Sequence, residues 1–238
     1  MTPAMWCDQS RAATVRLALA LVIVAGVAAC DSRIGDESSR IPEAEPTGFT
    51  SGDQRYIASL SPINRGLLSA NPSGQVELVV GGETVEIVLR TDGMPADTMH
   101  MQILHGFADG TPARCPGPGA DANHDGVVDV TETQEMAGVA MVPFHEDPVS
   151  LDIAADSYPR ADAEGSYTYR QVVSRDQFLK AFSDTPGGEP ALDRRVVFVH
   201  GVREDAELPE SARSIPGAPA HATVPVACAE LRRVPQRQ

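Results

Sequence analysis

Apolar and polar residues alternate through the middle of the chain, which is typical of β-strands. In residues 84–90, Val85, Ile87 and Leu89 occupy every second position, so they would share one face of a strand. Further segments have a strand-like composition and are separated by turn signals rich in Gly, Pro, Asn and Asp. They are residues 55–60, 76–80, 99–105, 139–143, 166–173, 195–201 and 222–229.

One segment has helical features. Ser174 is suited to cap a helix over residues 174–182, in which Phe178 and Phe182 lie one turn apart. Many short strands with one short helix predict an all-β domain over residues 53–232, folded as a Greek-key β-sandwich. Residues 233–238 would then form a short tail.

The N-terminus has the pattern of a secretory signal. Arg11 and Arg16 precede an apolar run over residues 17–25, which is too short for a membrane-spanning helix. The sequence Val-Ala-Ala-Cys that ends at Cys30 resembles the bacterial lipobox. This resemblance implies a lipoprotein signal peptide over residues 1–30, cleaved before Cys30, and lipidation of Cys30. An ordinary signal peptide or a signal anchor is the alternative.

These features predict a protein held by lipid on the extracytoplasmic side of a membrane of the bacterial cell envelope. Residues 31–52 are polar, acidic and poor in large apolar groups, so we expect a flexible tether between lipid and domain. The formal net charge of −14 argues against nucleic acid as a partner, because like charges repel. The predicted partners are the membrane, through the lipid, and an unknown protein.

Residues 121–132 match the twelve-residue calcium loop of EF-hands. Such a loop supplies oxygen ligands to Ca²⁺ from positions 1, 3, 5, 7, 9 and 12. Gly126 stands at position 6, where the loop turns sharply. The predicted ligands are Asp121, Asn123, Asp125, the carbonyl of Val127, Asp129 and Glu132. The alternative is a solvated acidic loop whose Asp and Asn residues only favour turns.

The residues around this loop distinguish it from a paired EF-hand. Residues 110–120 are rich in proline and glycine and cannot hold an incoming helix. Residues 130–137 could form a short helix, but the chain has no second loop to pair with Val128. We therefore expect a lone calcium loop that braces residues 106–138. A calcium-responsive interaction module is an alternative.

Two cysteines remain if Cys7 is removed with the leader and Cys30 is lipidated. A compartment outside the cytoplasm permits Cys115 and Cys228 to form a disulfide. The alternatives are two buried free thiols or a pair of thiol ligands for a soft metal.

Several segments resemble Cu,Zn superoxide dismutases. Residues 99–110, followed by Cys115, look like the copper-ligand strand and the disulfide loop of that family. Residues 193–205 resemble the later strand that ends in a copper-binding histidine, and residues 226–228 resemble the strand with the second half-cystine. Residues 56–106 are also similar to bacterial CHRD (chordin-type) domains. The resemblance implies a Greek-key sandwich, supports the Cys115–Cys228 bridge, and implies His105 and His200 as candidate copper ligands.

Differences from that family argue against dismutase activity. Ile103 stands where the family has the first histidine of a His-x-His pair, and Pro225 replaces an arginine. The calcium loop occupies the place of the zinc loop, and its oxygens suit zinc poorly. Redox copper takes about four nitrogen ligands, and the sequence offers two, His105 and His200. A copper-binding or residual redox protein is therefore the second hypothesis, and buried core histidines are the simpler interpretation.

No motif indicates an enzyme. The chain has no Gly-x-Ser-x-Gly elbow, phosphate-binding loop, dinucleotide-binding glycine pattern or His-Glu-x-x-His helix. His124, His145 and His221 stand apart from other candidate ligands, so we expect them at the surface. The sequence therefore favours a non-enzymatic, calcium-binding lipoprotein.

Overall fold

Two antiparallel sheets of five strands each pack against one another as a β-sandwich. They are seen in a computed structural model, which describes residues 52–185 and 190–235. The predicted signal peptide, Cys30 and nearly all of the predicted tether lie outside the described residues. Within the described part of the chain, no helix is long and apolar enough to cross a membrane.

The described residues contain ten strands. In chain order they are β1 (Gln54–Ser59), β2 (Ser61–Pro62), β3 (Ser73–Val80), β4 (Thr84–Asp92), β5 (Gln102–Gly106), β6 (Val139–Pro143), β7 (Tyr167–Ser174), β8 (Val196–His200), β9 (Pro225–Glu230) and β10 (Arg232–Arg233). The first sheet has the strand order β10-β1-β3-β4-β7, and the second has the order β2-β9-β8-β5-β6.

The main hydrophobic core lies between the two sheets. Val85, Ile87 and Leu89 of β4 are fully buried in it, which confirms the predicted face of this strand. Leu104 of β5 and Val197 of β8 contribute from the second sheet. Because side chains alternate along a strand, the residues next to these two point to the outer face of the second sheet.

A smaller apolar cluster covers that outer face. Phe198 of β8 and Cys228 of β9 pack there with Val128 and Ala137, which belong to the long connection between β5 and β6. The connection that carries the candidate calcium loop is therefore packed on the second sheet.

The predicted strands agree with the observed ones in number of major strands and in approximate position. β6 has the predicted bounds, whereas β5 begins three residues later than predicted, at Gln102. Met99 makes only an isolated bridge with Arg160. The two-residue strands β2 and β10 were not predicted, because they are too short to carry an alternating pattern.

The prediction of a single helix is wrong, because the described residues contain three short helices. They are α1 (Gln134–Ala137), α2 (Arg175–Asp184) and α3 (Ala220–Thr223). α2 is the predicted helix, and α1 lies within residues 130–137, where the sequence allows a short helix. α3 takes up the start of the segment predicted as the last strand. Pro225 explains this boundary, since the residue before a proline disfavours helical backbone and extended chain follows.

Cys115 and Cys228 form a disulfide, which confirms the predicted bridge. Their Cα atoms are 5.7 Å apart, although the residues are 113 positions apart in the sequence. The bridge joins the β5–β6 connection to β9. Such a bond fits an oxidising compartment outside the cytoplasm.

Candidate functional site

The candidate calcium loop, residues 121–132, lies in the connection between β5 and β6. Within this connection, the residues before the loop contain one 3-10 turn, Pro118–Ala120, and α1 follows almost directly after the loop. The incoming helix of an EF-hand is therefore missing from this region, as the proline and glycine content predicts. The outgoing helix is about one turn long.

The carboxylate of Glu132 closes the loop. Its Oε1 atom accepts hydrogen bonds from the backbone N–H groups of Ala122 and Asn123, at 2.9 and 3.2 Å. Its Oε2 atom accepts a hydrogen bond from the N–H of Asp129 at 3.0 Å. The last predicted ligand is thus held beside the first residues of the loop.

The first half of the loop is a tight turn around Asp121. The two carboxylate oxygens of Asp121 accept hydrogen bonds from the N–H groups of Asp125 and Gly126, at 3.1 and 2.9 Å. The Oδ1 atom of Asn123 also accepts the Asp125 N–H, at 2.8 Å. Gly126 has φ +90°, a conformation that glycine adopts easily. The sharp turn predicted at this position is present.

Two loop carboxylates reach a distant segment, residues 202–219 between β8 and β9. The Oδ2 atom of Asp125 accepts a hydrogen bond from the Ser211 hydroxyl, and Oδ2 of Asp129 accepts the N–H of Arg213 at 2.6 Å. The pKa of the Asp125 carboxyl is lowered, mainly because the hydrogen bond from the Ser211 hydroxyl favours the charged form. Asp129 is only 1% exposed, so this end of the loop is buried.

Asn64 holds Val128, the eighth residue of the loop. Its Nδ2 atom donates hydrogen bonds to the carbonyl oxygens of Val128 and Pro225, at 2.8 and 2.9 Å, and its Oδ1 atom accepts the Val128 N–H at 2.8 Å. Sequence reasoning missed Asn64, Ser211 and Arg213. No spacing rule links them to a loop that is 64 to 86 positions away along the chain.

The donor set of the loop fits calcium by its chemistry. Four carboxylates, a side-chain amide and a backbone carbonyl are hard oxygen ligands of the kind that Ca²⁺ prefers. The carboxylate oxygens are bonded to N–H and O–H groups, and in residues 52–185 and 190–235 no three His, Cys, Asp or Glu side chains converge into a metal-binding group. Calcium binding by these residues therefore stays a prediction.

The second candidate site is a pair of histidines on the second sheet. The ring centroids of His105 on β5 and His200 on β8 are 5.9 Å apart. Phe198 contacts both rings, with centroid distances of 4.9 and 5.6 Å. Both histidines are buried, so the structure brings the two candidate copper ligands together in an apolar environment.

Burial keeps both imidazoles neutral near pH 7. It lowers the pKa of His105 to about 3, with the neighbouring His200 acting in the same direction, and it lowers the pKa of His200 to about 4. By distance and angle, neither ring nitrogen of His105 has a hydrogen-bond partner among the described residues, although the backbone of Gly138 acts on the ring and opposes the lowering of its pKa. His200 Nδ1 lies 3.1 Å from the carbonyl oxygen of Met101, to which it donates, so its Nε2 keeps a lone pair.

The predicted surface exposure of the three other histidines of the sequence analysis agrees only in part with the structure. His124 is exposed, as predicted, and His221 is half-buried. The prediction for His145 is wrong, because its side chain is 2% exposed and packs edge-on against Tyr158. The later chain segment that carries Tyr158 folds over it, which the sequence around His145 does not indicate.

Comparisons with known proteins identify no family. No protein-family model matches the chain, and a search of curated proteins finds no match. The β-sandwich that the dismutase resemblance implies is present. Membership of the dismutase or chordin-type family stays a prediction.

Proposed function

We propose that this protein is a calcium-binding β-sandwich lipoprotein of the bacterial cell envelope. The lipid on Cys30 would hold it on the extracytoplasmic side of a membrane, and calcium would brace residues 106–138 against the sandwich. The anchor rests on the lipobox-like sequence, and calcium binding rests on residues 121–132. The proposal assigns no reaction to the protein.

The calcium proposal rests on the closed form of the loop. Glu132 bonds to the N–H groups of Ala122 and Asn123, so carboxylates from both ends of the loop belong to one small turn. Asp121, Asn123, Asp125, Val127, Asp129 and Glu132 would hold the ion. Its charge would offset the mutual repulsion of the four carboxylates.

The bonds between the loop and other parts of the chain favour bracing over sensing. Asp125 accepts the Ser211 hydroxyl and Asp129 accepts the Arg213 N–H, so an ion that orders these carboxylates also orders a second segment. The disulfide at Cys115 holds the same connection near its start. A region fixed at several points has little freedom for the large opening movement of a calcium sensor.

Calcium titration of the full chain, after treatment with a chelator, tests this proposal. We expect one ion per chain, with a dissociation constant of about 10⁻⁴–10⁻³ M, as in extracellular calcium modules. At a hundredfold excess of calcium over this constant, the free energy of unfolding should rise by about 2.7 kcal/mol. Glu132→Gln should abolish the rise, and Glu135→Gln, an exposed neighbour outside the loop, should preserve it. Equal melting and equal protease sensitivity in calcium and in chelator would refute the proposal.

A second candidate function is copper binding by a protein related to Cu,Zn superoxide dismutases with their Greek-key topology. The observation that favours it is the buried pair His105 and His200, in which the His105 ring nitrogens lack hydrogen-bond partners among the described residues. Neutral imidazole is a good copper ligand. Two nitrogens are fewer than the roughly four that redox copper takes, so this candidate is a binding protein and not a dismutase.

Elemental analysis of protein purified without added metals tests the copper candidate. Calcium is tested by the titration above, because an ion held with the expected dissociation constant would be lost during purification. Stoichiometric copper that disappears in a His105→Phe variant supports the second. The copper candidate is excluded if metal-stripped protein takes up no Cu(I).

A further inference from the structure

We propose that Asn64 is a positioning residue of the calcium loop, in the place where a paired EF-hand would have a second loop. This inference rests on the proposed calcium binding and deepens it. It assigns no ion ligand to Asn64. The role of Asn64 is to hold the backbone that carries two of the ligands.

Asn64 bonds both backbone groups of Val128. Its Oδ1 atom accepts the Val128 N–H and its Nδ2 atom donates to the Val128 carbonyl, both at 2.8 Å. One carboxamide therefore pairs with this residue as the backbone of an adjacent strand would. Val128 lies between the predicted ligands Val127 and Asp129. Its position consequently determines where both of those ligands stand.

The same side chain is fixed to the sandwich. Nδ2 of Asn64 also donates to the carbonyl oxygen of Pro225 in β9, at 2.9 Å. The preceding residue, Ile63, donates its N–H to the carbonyl of Val226 on the same strand, at 2.9 Å. Asn64 thus connects the second half of the calcium loop directly to the second sheet.

Few residue types meet the requirements of this position. The backbone of Asn64 has φ 51° and ψ 43°, in the left-handed region that Gly, Asn and Asp tolerate best. The side chain must also offer a donor and an acceptor together. Glycine has no side chain and an ionised aspartate has only acceptors, so asparagine alone among these three satisfies both requirements.

This connection couples calcium binding to the sandwich. If attachment through Asn64 favours the ion-binding form of the loop, then calcium must strengthen the attachment by the same factor, because coupling free energies are reciprocal. Substitution of a residue that served the fold alone would lower the melting temperature equally in calcium and in chelator. Substitution of a positioning residue would change the calcium affinity as well.

The substitution Asn64→Gly tests the inference, because it removes the carboxamide and keeps the left-handed backbone. On the full chain, we expect the dissociation constant for calcium to rise about tenfold or more, since two hydrogen bonds to the loop and one to β9 are lost. The calcium-induced rise in melting temperature should shrink. Asn71→Gly is the matched control. The Asn71 side chain accepts a hydrogen bond from Arg65 and, in the described part of the chain, makes none with residues 121–132, so its loss should leave the affinity unchanged.

A second variant, Asn64→Ser, removes the carboxamide and adds no charge near the ion. It should also weaken calcium binding, and it serves as the test if Asn64→Gly does not fold. Unchanged calcium affinity in a folded Asn64 variant overturns the positioning role and leaves the proposed function intact. Failure of the unaltered chain to bind calcium overturns the proposed function itself.

Discussion

The Ser211 hydroxyl donates a hydrogen bond to the carboxylate of Asp125, across 86 positions of sequence. Together with the bond from the Arg213 N–H to Asp129, it joins the candidate calcium loop to the segment between β8 and β9. The β5–β6 connection and the segment between β8 and β9 therefore stabilise each other. A substitution in one of them should change the mobility of the other.

The first prediction concerns Ser211→Ala. Loss of the hydroxyl should raise the pKa of Asp125 towards its ordinary value, because the hydroxyl favours the charged carboxylate. We also expect the amides of residues 207–214 to exchange hydrogen several-fold faster, as measured by mass spectrometry. Ser183→Ala is the control, since the Ser183 hydroxyl bonds a carbonyl within α2. Unaltered exchange in residues 207–214 would contradict the prediction.

Replacement of His105 by Phe should weaken the dependence of stability on pH. The folded-state pKa of about 3 lies below the value of roughly 6.5 in unfolded chains, so the unfolded state takes up the proton first as the pH falls. The contribution of neutral His105 to the free energy of unfolding is fully present above about pH 6.5 and is lost as the pH falls towards 3. In metal-free protein, His105 contributes about 2 kcal/mol to the loss of stability at pH 5, and the variant should lack this contribution while His200 keeps its own.

Urea unfolding of both proteins at pH 7 and pH 5 measures this difference. At pH 7 the variant should be at least as stable as the original chain. Phe places carbon where His105 has buried ring nitrogens that lack hydrogen-bond partners among the described residues. Equal pH dependence in the two proteins would show that protonation of His105 does not contribute.

Removal of the disulfide should destabilise the domain strongly. The bridge closes a loop of 113 residues, and the chain-entropy model assigns about 4–5 kcal/mol to a loop of this length. The double substitution Cys115→Ser and Cys228→Ser should lower the free energy of unfolding by this amount in urea titrations. A reductant should lower the stability of the original chain to the same level and leave the variant unaffected. A stability loss below about 1 kcal/mol would contradict the entropic estimate.

Two glycines of the β5–β6 connection should respond differently to alanine. Gly138 has φ +73°, and a Cβ there would lie 2.0 Å from the carbonyl oxygen of Gly106. Gly138→Ala should therefore force β5 and β6 apart and cost more than about 3 kcal/mol. Gly126 has φ +90° and open space around the Cβ position, so Gly126→Ala should cost only about 1–2 kcal/mol in chelator. Chemical denaturation of both variants measures the difference, and equal losses would contradict it.

The sequence by itself determined the core-facing strands and the candidate ligands of the loop. Val85, Ile87 and Leu89 could be assigned to one buried face because a strand repeats every two residues. The ligand positions could be assigned because all of them fall within the twelve residues 121–132. Both are local patterns, in which the neighbours in space are also neighbours along the chain. The pairing of Cys115 with Cys228 followed once the other cysteines were set aside.

Only the tertiary structure decided which residues support these groups. Asn64 and Ser211 reach the loop from 64 and 86 positions away, and His145 is buried by Tyr158 from a later segment. The rings of His105 and His200 meet because their strands are neighbours in the second sheet. Such contacts produce no periodic pattern in the sequence. They arise when the sheets pack and bring distant connections together, and no local chain geometry specifies them.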